Sequence, residues 1–195
     1  MREVQGWRAV ALIVAVAGLA GAAYLLPMRG GGGGGDGGGP DAPTRGCAHA
    51  REEPGDDLRA AERATLCLLN AERRARGLGR LRPERRLRVA ALRHSRDMVE
   101  REFFEHENPD GERHDSRVVR AGYPFTGGSI TGENLATGER ESSTPAVIVD
   151  GWMHSPGHRR NILRPEFREI GIGIVPRMEG GGEGGTYTTV FGGRT

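Results

Sequence analysis

The residues EIGIGIV (169–175) and GTYTTVFGG (185–193) carry the clearest structural pattern in the chain. Isoleucine and glycine alternate in the first stretch, and Tyr187, Thr189 and Phe191 follow the same period of two in the second. This period is typical of β-strands, because successive side chains of a strand point to opposite faces of the sheet. The glycine-rich segment between the stretches predicts a turn that joins two strands. A third strand is predicted over residues 130–136.

Helical patterns precede these strands. The spacing of apolar residues predicts helices over about residues 57–76, 83–103, 116–121 and 144–154. Asp56 or Asp57 is a suitable N-cap for the first helix, and Gly77 is a suitable stop. Because the helices come first and the paired strands last, we expect an α+β fold with a small antiparallel sheet covered by helices.

The N-terminal region has the pattern of an export signal. Residues 9–26 form an uncharged, largely apolar run, with Arg2 and Arg8 before it and Arg29 after it. A helix of this length spans roughly 27 Å, close to the hydrocarbon core of a membrane at about 30 Å. Residues 1–28 are predicted to be a signal anchor or a cleaved signal peptide, and the apolar run continues past the small-residue cleavage patterns, which favours the anchor. The predicted location is the extracellular face of the cell membrane, or outside the cell if the segment is cleaved.

Residues 29–46 are rich in glycine and are predicted to be a flexible linker. Residues 47–195 then form the exported domain. The chain has two cysteines, Cys47 and Cys67, and both belong to this domain. An oxidising compartment favours a disulfide between them over two free thiols.

The charge of the chain is nearly balanced, with 28 basic and 26 acidic residues, and every basic residue is arginine. A net charge of +2 and export both argue against a nucleic-acid partner. One segment is nevertheless strongly basic, since residues 73–101 hold eleven arginines against three acidic residues. The segment is either a solvated helix face or a contact surface for anionic lipid headgroups or cell-wall polymers.

Three ionisable residues lie in segments with nearby glycine or proline, outside the helical charge pattern: His106, Glu133 and His158. Functional side chains concentrate in such segments, and two imidazoles with one carboxylate are suitable ligands for zinc or another divalent cation. Their separations in sequence are too long for a helical zinc motif, so the pattern alone does not bring them together. A hydrogen-bonded histidine and a capping glutamate remain the alternative.

Six separated motifs resemble the bacterial branch of the CAP superfamily, which groups cysteine-rich secretory, antigen 5 and pathogenesis-related 1 proteins and is also called the SCP-like extracellular domain. The resemblance covers about residues 57–192, and the motifs follow the order of that family: CLLNAERRARGLGRL (67–81), AALRHSRDMV (90–99), FFEHENPDG (103–111), GENLA (132–136), WMHSPGHRRNIL (152–163) and EIGIGIV (169–175). The resemblance implies an α-β-α sandwich.

The resemblance also implies a cleft with two histidines and two acids, which binds a divalent metal in some members. By motif, His106 and His158 correspond to the histidines and Glu133 to one acid. Ser155 stands where many eukaryotic relatives carry the second acid, so a bound metal would need water as a further ligand. Asn134 and Asn161 are predicted to shape the cleft by binding backbone groups.

Three functions are compatible with these observations. The first, which we favour, is a non-enzymatic surface module that binds a small lipid, a cell-wall component or a protein. The second is a metal-dependent hydrolase or protease, with Glu133 as general base. The third is a tethered scaffold with a vestigial cleft. The chain contains no GxSxG or HExxH motif, which argues against an established hydrolase mechanism.

Overall fold

The computed structural model describes residues 46–194. The predicted anchor and nearly all of the predicted linker lie outside this range, and no helix within it is long and apolar enough to span a membrane. The described chain contains five α-helices: α1 Leu58–Arg74, α2 Arg85–Glu100, α3 His114–Arg120, α4 Pro145–His154 and α5 Pro156–Ile162. Its four strands are β1 Arg82–Pro83, β2 Ser129–Glu139, β3 Phe167–Val175 and β4 Gly184–Arg194. The predicted α+β class is confirmed.

The four predicted helices are present, and local signals explain where they begin. Asp57 caps α1, because its Oδ1 accepts a hydrogen bond from the Ala60 backbone N–H at 3.0 Å. Glu84 caps α2 in the same way, with Leu87 N–H as donor. Pro145 occupies the first turn of α4, where it loses no helical hydrogen bond. The fifth helix, α5, was not predicted, because its seven residues are too few to show a clear period and no glycine stop follows it, as Gly122 follows the equally short α3.

The sheet has the strand order β1-β3-β4-β2. β4 pairs antiparallel with both β2 and β3, as the alternating patterns predicted. The prediction of a purely antiparallel sheet is wrong, because β1 pairs parallel to β3 with Arg82 opposite Glu169. A strand of two residues is too short to show any alternation, so its sequence did not reveal it.

Helices pack against both faces of the sheet. On one face, Ile170, Ile172 and Ile174 join a buried core with residues of α1, α4 and α5. On the other face, Gly171 and Gly173 leave room for α2, since an added Cβ at either position would overlap the α2 backbone. On the glycine face of β3, α2 therefore packs directly on the strand. On the isoleucine face, the side chains separate the sheet from α1, α4 and α5.

Cys47 and Cys67 form the predicted disulfide, with an S–S distance of 2.00 Å. The bond joins the beginning of the described chain to α1. Closing a loop of this kind stabilises a fold mainly by reducing the freedom of the unfolded chain.

Trp152 on α4 is buried in the core and donates from Nε1 to the Leu135 carbonyl at 2.9 Å, so its side chain joins α4 to β2.

Candidate functional site

A buried carboxylate and two basic side chains form the centre of the candidate site. Glu133 lies in the middle of β2, and its side chain is only 1% exposed. His106, in the loop between α2 and α3, donates from Nδ1 to Glu133 Oε1 at 2.9 Å. Arg117, on α3, donates from Nη2 to both oxygens of the same carboxylate at 3.0 and 3.1 Å. We call these three residues the His106 cluster.

Arg117 also holds the loop that carries His106. Its Nη2 donates to the backbone carbonyl of His106 at 2.8 Å, and its Nη1 donates to the carbonyl of Glu112 at 2.7 Å. The guanidinium is almost fully buried, with a side-chain exposure of 3%. A planar group with several fixed donors can join a carboxylate and two carbonyls at once. Arg117 therefore fixes both the charge and the position of the loop.

The charge of Glu133 follows from these contacts. Burial acts to raise the pKa of Glu133, but the hydrogen bond from His106 and the charge of Arg117 outweigh burial and lower that pKa. Glu133 is therefore ionised at neutral pH and accepts the hydrogen bond from His106. It follows that Nδ1 of His106 carries a proton, and that Nε2 lies on the side of the ring away from Glu133.

Three further histidines surround the cluster. Burial lowers the pKa of His94, His114 and His158, and the charge of His106 lowers it further for His114 and His158. All three are therefore neutral at pH 7. His114 Nε2 lies 3.2 Å from Thr131 Oγ1 on β2, and His94 Nε2 lies 3.0 Å from the Glu105 carbonyl. His106 is the most accessible member of the cluster, with a side-chain exposure of 59%.

The predicted metal ligands are only partly assembled. His106 contacts Glu133, and His158 is near enough for its pKa to respond to His106. Within residues 46–194, no three histidine, cysteine or acidic side chains are placed to hold a metal ion. Both oxygens of Glu133 already accept hydrogen bonds, and a cation there would meet Arg117. In this arrangement Glu133 is an orienting partner of His106 and does not fit the role of a third metal ligand.

The remaining predicted site residues lie around the junction of β2 with α4 and α5. Asn134 donates to the His158 carbonyl at 3.1 Å. Asn161 donates to the Glu133 carbonyl at 3.1 Å and to Asn134 Oδ1 at 2.9 Å. These amides join the backbone that carries Glu133 to the backbone that carries His158. Ser155 lies between α4 and α5, and its side chain makes no capping hydrogen bond there.

Sequence reasoning missed Arg117 and His114. Arg117 is one of 28 arginines, and nothing in its neighbourhood in the sequence separates it from a solvated surface residue. His114 begins a seven-residue helix, which is too short to show a buried face. The short helical pattern before Gly122 was the only local signal for either residue. Their partners, Glu133 and Thr131, lie on a strand 16 and 17 residues away.

The cluster presents one largely exposed imidazole, which a buried carboxylate orients. His106 Nε2 can accept a hydrogen bond from a ligand hydroxyl, and the protonated ring can pair with an anionic group. Among the described residues, the only side chain that hydrogen-bonds to His106 is Glu133, so no serine or cysteine nucleophile is paired with this histidine. The arrangement is suited to recognition of a polar group at the surface.

The chain matches the model of the CAP cysteine-rich secretory protein family over residues 66–191. It is 36% identical over 116 residues to Bacillus subtilis YkwD, which corresponds to 60% of this chain and 43% of that protein. It is 30% identical over 114 residues to the Bacillus subtilis membrane protein YlbC, which corresponds to 58% of this chain and 31% of that protein. The chain thus spans less than half the length of these two relatives.

Two solved structures share the fold. One is an extracellular protein containing an SCP domain from Bacillus anthracis, with a TM-score of 0.56, 24% identity, and coverage of 70% of this chain and 43% of that one. The other is an outer surface protein from Borrelia burgdorferi, with a TM-score of 0.59, 18% identity, and coverage of 71% and 96%. The family match extends over more than half of the chain and includes the whole His106 cluster, and the protein is therefore a member of the CAP family of cysteine-rich secretory proteins.

Proposed function

We propose that the protein is an exported, membrane-tethered CAP domain that binds a cell-envelope ligand at the His106 cluster and does not turn it over. One observation carries the proposal: both oxygens of the buried Glu133 carboxylate accept hydrogen bonds from His106 or Arg117, while the His106 side chain remains 59% exposed. The ligand would be a lipid, a cell-wall component or a protein that presents a hydroxyl or an anionic group to the His106 ring.

The same contacts argue against catalysis by Glu133. A general base must reach the proton that it removes, within about 3 Å or through one water. Glu133 is 1% exposed, and both of its oxygens accept hydrogen bonds from protein donors. Its lowered pKa also makes it a weak base. A binding role uses Glu133 in the state described, whereas catalysis would require this network to open.

Export is supported by three independent features. The predicted anchor precedes the domain, and a disulfide is typical of an oxidising compartment. The similar proteins include an extracellular protein, an outer surface protein and a membrane protein. Because the relatives are much longer than the matched region, their full activities are not transferred to this chain.

A metal-dependent hydrolase is the second candidate, and one observation favours it. Metal-binding histidines commonly donate their second ring nitrogen to a carboxylate, as His106 does to Glu133. His106 and His158 would then be the protein ligands for zinc or another divalent cation, with Glu133 orienting the first. Zinc supplies a Lewis acid and a more acidic bound water. The residues of this chain supply orientation of His106 through Glu133 and Arg117.

Binding of the full chain in a neutral detergent to peptidoglycan fragments and to dispersed phosphatidylglycerol would test the proposal. We expect one of these probes to bind, and the change His106→Ala to weaken that binding at least about tenfold, the equivalent of about 1.4 kcal/mol. His154→Ala is the matched control, because His154 is an exposed histidine at the end of α4. Equal binding by the two variants would contradict the proposal.

Zinc titration by calorimetry separates the two candidates. The hydrolase requires binding that is about micromolar or tighter and is lost in the double variant His106→Ala, His158→Ala. It also requires probe hydrolysis that Glu133→Gln abolishes while zinc is retained. Probe binding that is unchanged by removal of zinc, with no hydrolysis product, supports the non-enzymatic module.

A further inference from the structure

A second polar surface is distinct from the His106 cluster and consists of a groove at the end of the sheet where β1 lies. The groove has a volume of about 1280 Å³. Four exposed arginines line it, and we call it the arginine groove: Arg80, Arg82, Arg168 and Arg194. It includes part of the basic segment seen in the sequence, to which the proposed function assigns no role.

Strand pairing brings these arginines together from three separate segments. Arg82 lies in β1 opposite Glu169 in β3, which places Arg168 next to that pair along the chain. At the same end of the sheet, Gly193 in β4 pairs with Phe167 in β3, and Arg194 follows it. Strand pairing therefore brings Arg80 and Arg194, which are far apart in the sequence, to the same end of the sheet.

The lining of the groove holds more positive than negative side chains, with four arginines against two glutamates. None of the four arginines has a carboxylate within ion-pair distance among residues 46–194. The groove does contain Glu166 and Glu169. However, Glu166 pairs with Arg164 at 3.5 Å, and Glu169 accepts a hydrogen bond from the Tyr123 hydroxyl at 2.6 Å. Glu166 is thus paired with a cation outside the lining, whereas Glu169 keeps its negative charge because a neutral hydroxyl does not cancel it. The lining still retains an excess of positive charge.

A fifth guanidinium, that of Arg73, is buried near the groove and adds to this charge. Arg73 is fully buried and donates only to backbone carbonyls, including those of Gly79 at 2.7 Å and Phe167 at 3.0 Å. Burial lowers the pKa of Arg73, and the nearby charge of Arg168 lowers it further. Arg73 therefore joins Gly79, which lines the groove, to the beginning of β3, and within residues 46–194 it forms no ion pair with a carboxylate.

We propose that the arginine groove binds a linear polyanion with phosphodiester groups. Guanidinium groups bind phosphate oxygens through two parallel hydrogen bonds, and four of them line one continuous groove. The volume exceeds the range of about 300–1,000 Å³ that is typical of small-ligand sites, so the groove has room for several repeats of a polymer. A flat bilayer surface does not enter a concave groove. The site is independent of the His106 cluster.

Fluorescence anisotropy of labelled poly(glycerol phosphate) with the full chain in neutral detergent tests the assignment. We expect the double variant Arg82→Gln, Arg168→Gln to bind at least about tenfold more weakly at about 50 mM salt, with the slope of log affinity against log salt reduced by about one to two. Both residues are exposed, and because Arg168 also donates to the Pro165 and Phe167 carbonyls, urea unfolding of the variant checks that the fold is retained. Unlabelled glycerophosphoglycerol, the isolated headgroup of phosphatidylglycerol, distinguishes a lipid headgroup from the polymer.

The matched control is the double variant Arg113→Gln, Arg177→Gln, which removes the same charge from exposed positions that do not line the groove. Full retention of polymer binding by this control supports the assignment. Equal losses in the two double variants would show that only net charge matters and would overturn it. Absence of polymer binding by the unmodified chain, or competition by glycerophosphoglycerol that equals the polymer at the same phosphate concentration, would also overturn it.

Discussion

Two arginines, Arg73 and Arg117, are buried to almost the same extent but have different partners. Their exposures are 0% and 3%. Arg73 donates four hydrogen bonds, all to backbone carbonyls. Arg117 binds the carboxylate of Glu133 and two carbonyls. Arg73 therefore joins backbone segments, whereas Arg117 neutralises a charge at the candidate site. Burial alone does not reveal the role of a charged residue, because that role depends on what the residue meets.

The change Arg117→Met has the largest expected effect. It leaves the buried Glu133 carboxylate without its main counter-charge, and breaking a buried ion pair in this way costs about 3–5 kcal/mol. Equilibrium unfolding in urea measures the loss. The pKa of Glu133 should also rise, because burial then acts with less opposition. Adding Glu133→Gln to this variant should recover part of the stability, and a simple sum of the two single losses would contradict a coupled pair.

The change Arg73→Met should destabilise the fold by a smaller amount, about 2–3 kcal/mol, because it leaves neutral carbonyls unpaired and no buried counter-charge. The same urea experiment measures this loss. Arg74→Met is the matched control, since Arg74 is the exposed neighbour on α1 and its loss should stay within about 0.5 kcal/mol. If Arg73→Met were more destabilising than Arg117→Met, the distinction between the two arginines would be wrong.

Acidification should lower the stability of the fold through the histidines that surround the pair of Arg117 and Glu133. Arg73 donates only to backbone carbonyls, which do not titrate. Burial lowers the pKa of His94, His114 and His158, so the unfolded chain binds protons before the folded chain does. Stability should fall as pH decreases below about 6.5, towards the lowered values of the folded state. Glu133 adds a further loss at lower pH, as it is protonated near its own lowered pKa.

Urea unfolding at a series of pH values from 7.5 downward measures this dependence. His94→Gln should flatten the curve, because the buried imidazole no longer titrates. His154→Gln, at an exposed position, should leave the curve unchanged. If the unmodified chain, His94→Gln and His154→Gln gave the same dependence of stability on pH, titration of His94 would not be a cause of that dependence.

The change His106→Ala should have the smallest effect on stability, less than about 1 kcal/mol, because the ring is largely exposed and Arg117 continues to neutralise Glu133. Thermal unfolding measures the shift. Ligand binding should fall in the same variant, so the residue would affect function more than folding. A loss of stability as large as that of Arg117→Met would instead make His106 a structural partner of the buried carboxylate.

Local pattern was sufficient for most secondary structure. Helix caps such as Asp57 and the alternation in β3 act over a few residues, and these elements were predicted with modest errors at their ends. Two short elements were missed: β1 is too short to show a period, and α5 is short and lacks the glycine stop that marked α3. The parallel pairing of β1 also depends on a partner 87 residues away, which no local pattern specifies.

In the candidate site, too, local pattern predicted some features and distant contacts determined the others. The sequence marked His106, Glu133 and His158 as chemically distinctive, and the motifs around them indicated the family that the comparison confirmed. It did not indicate that Glu133 is held by Arg117, or that its carboxylate is buried and fully engaged. An arginine on a short polar helix has the same local pattern whether it faces water or a carboxylate.

The main helices and strands, the two cysteines that pair and the residue types available for chemistry therefore follow from short-range spacing and composition. Which arginines within residues 46–194 are buried, and what each of them contacts, depends instead on how the elements pack. Arg73 contacts carbonyls 89 to 94 residues away, and Arg117 contacts a carboxylate on a separate strand. Such contacts form only when the sheet and helices pack, since the energy of a charge depends on its surroundings in space.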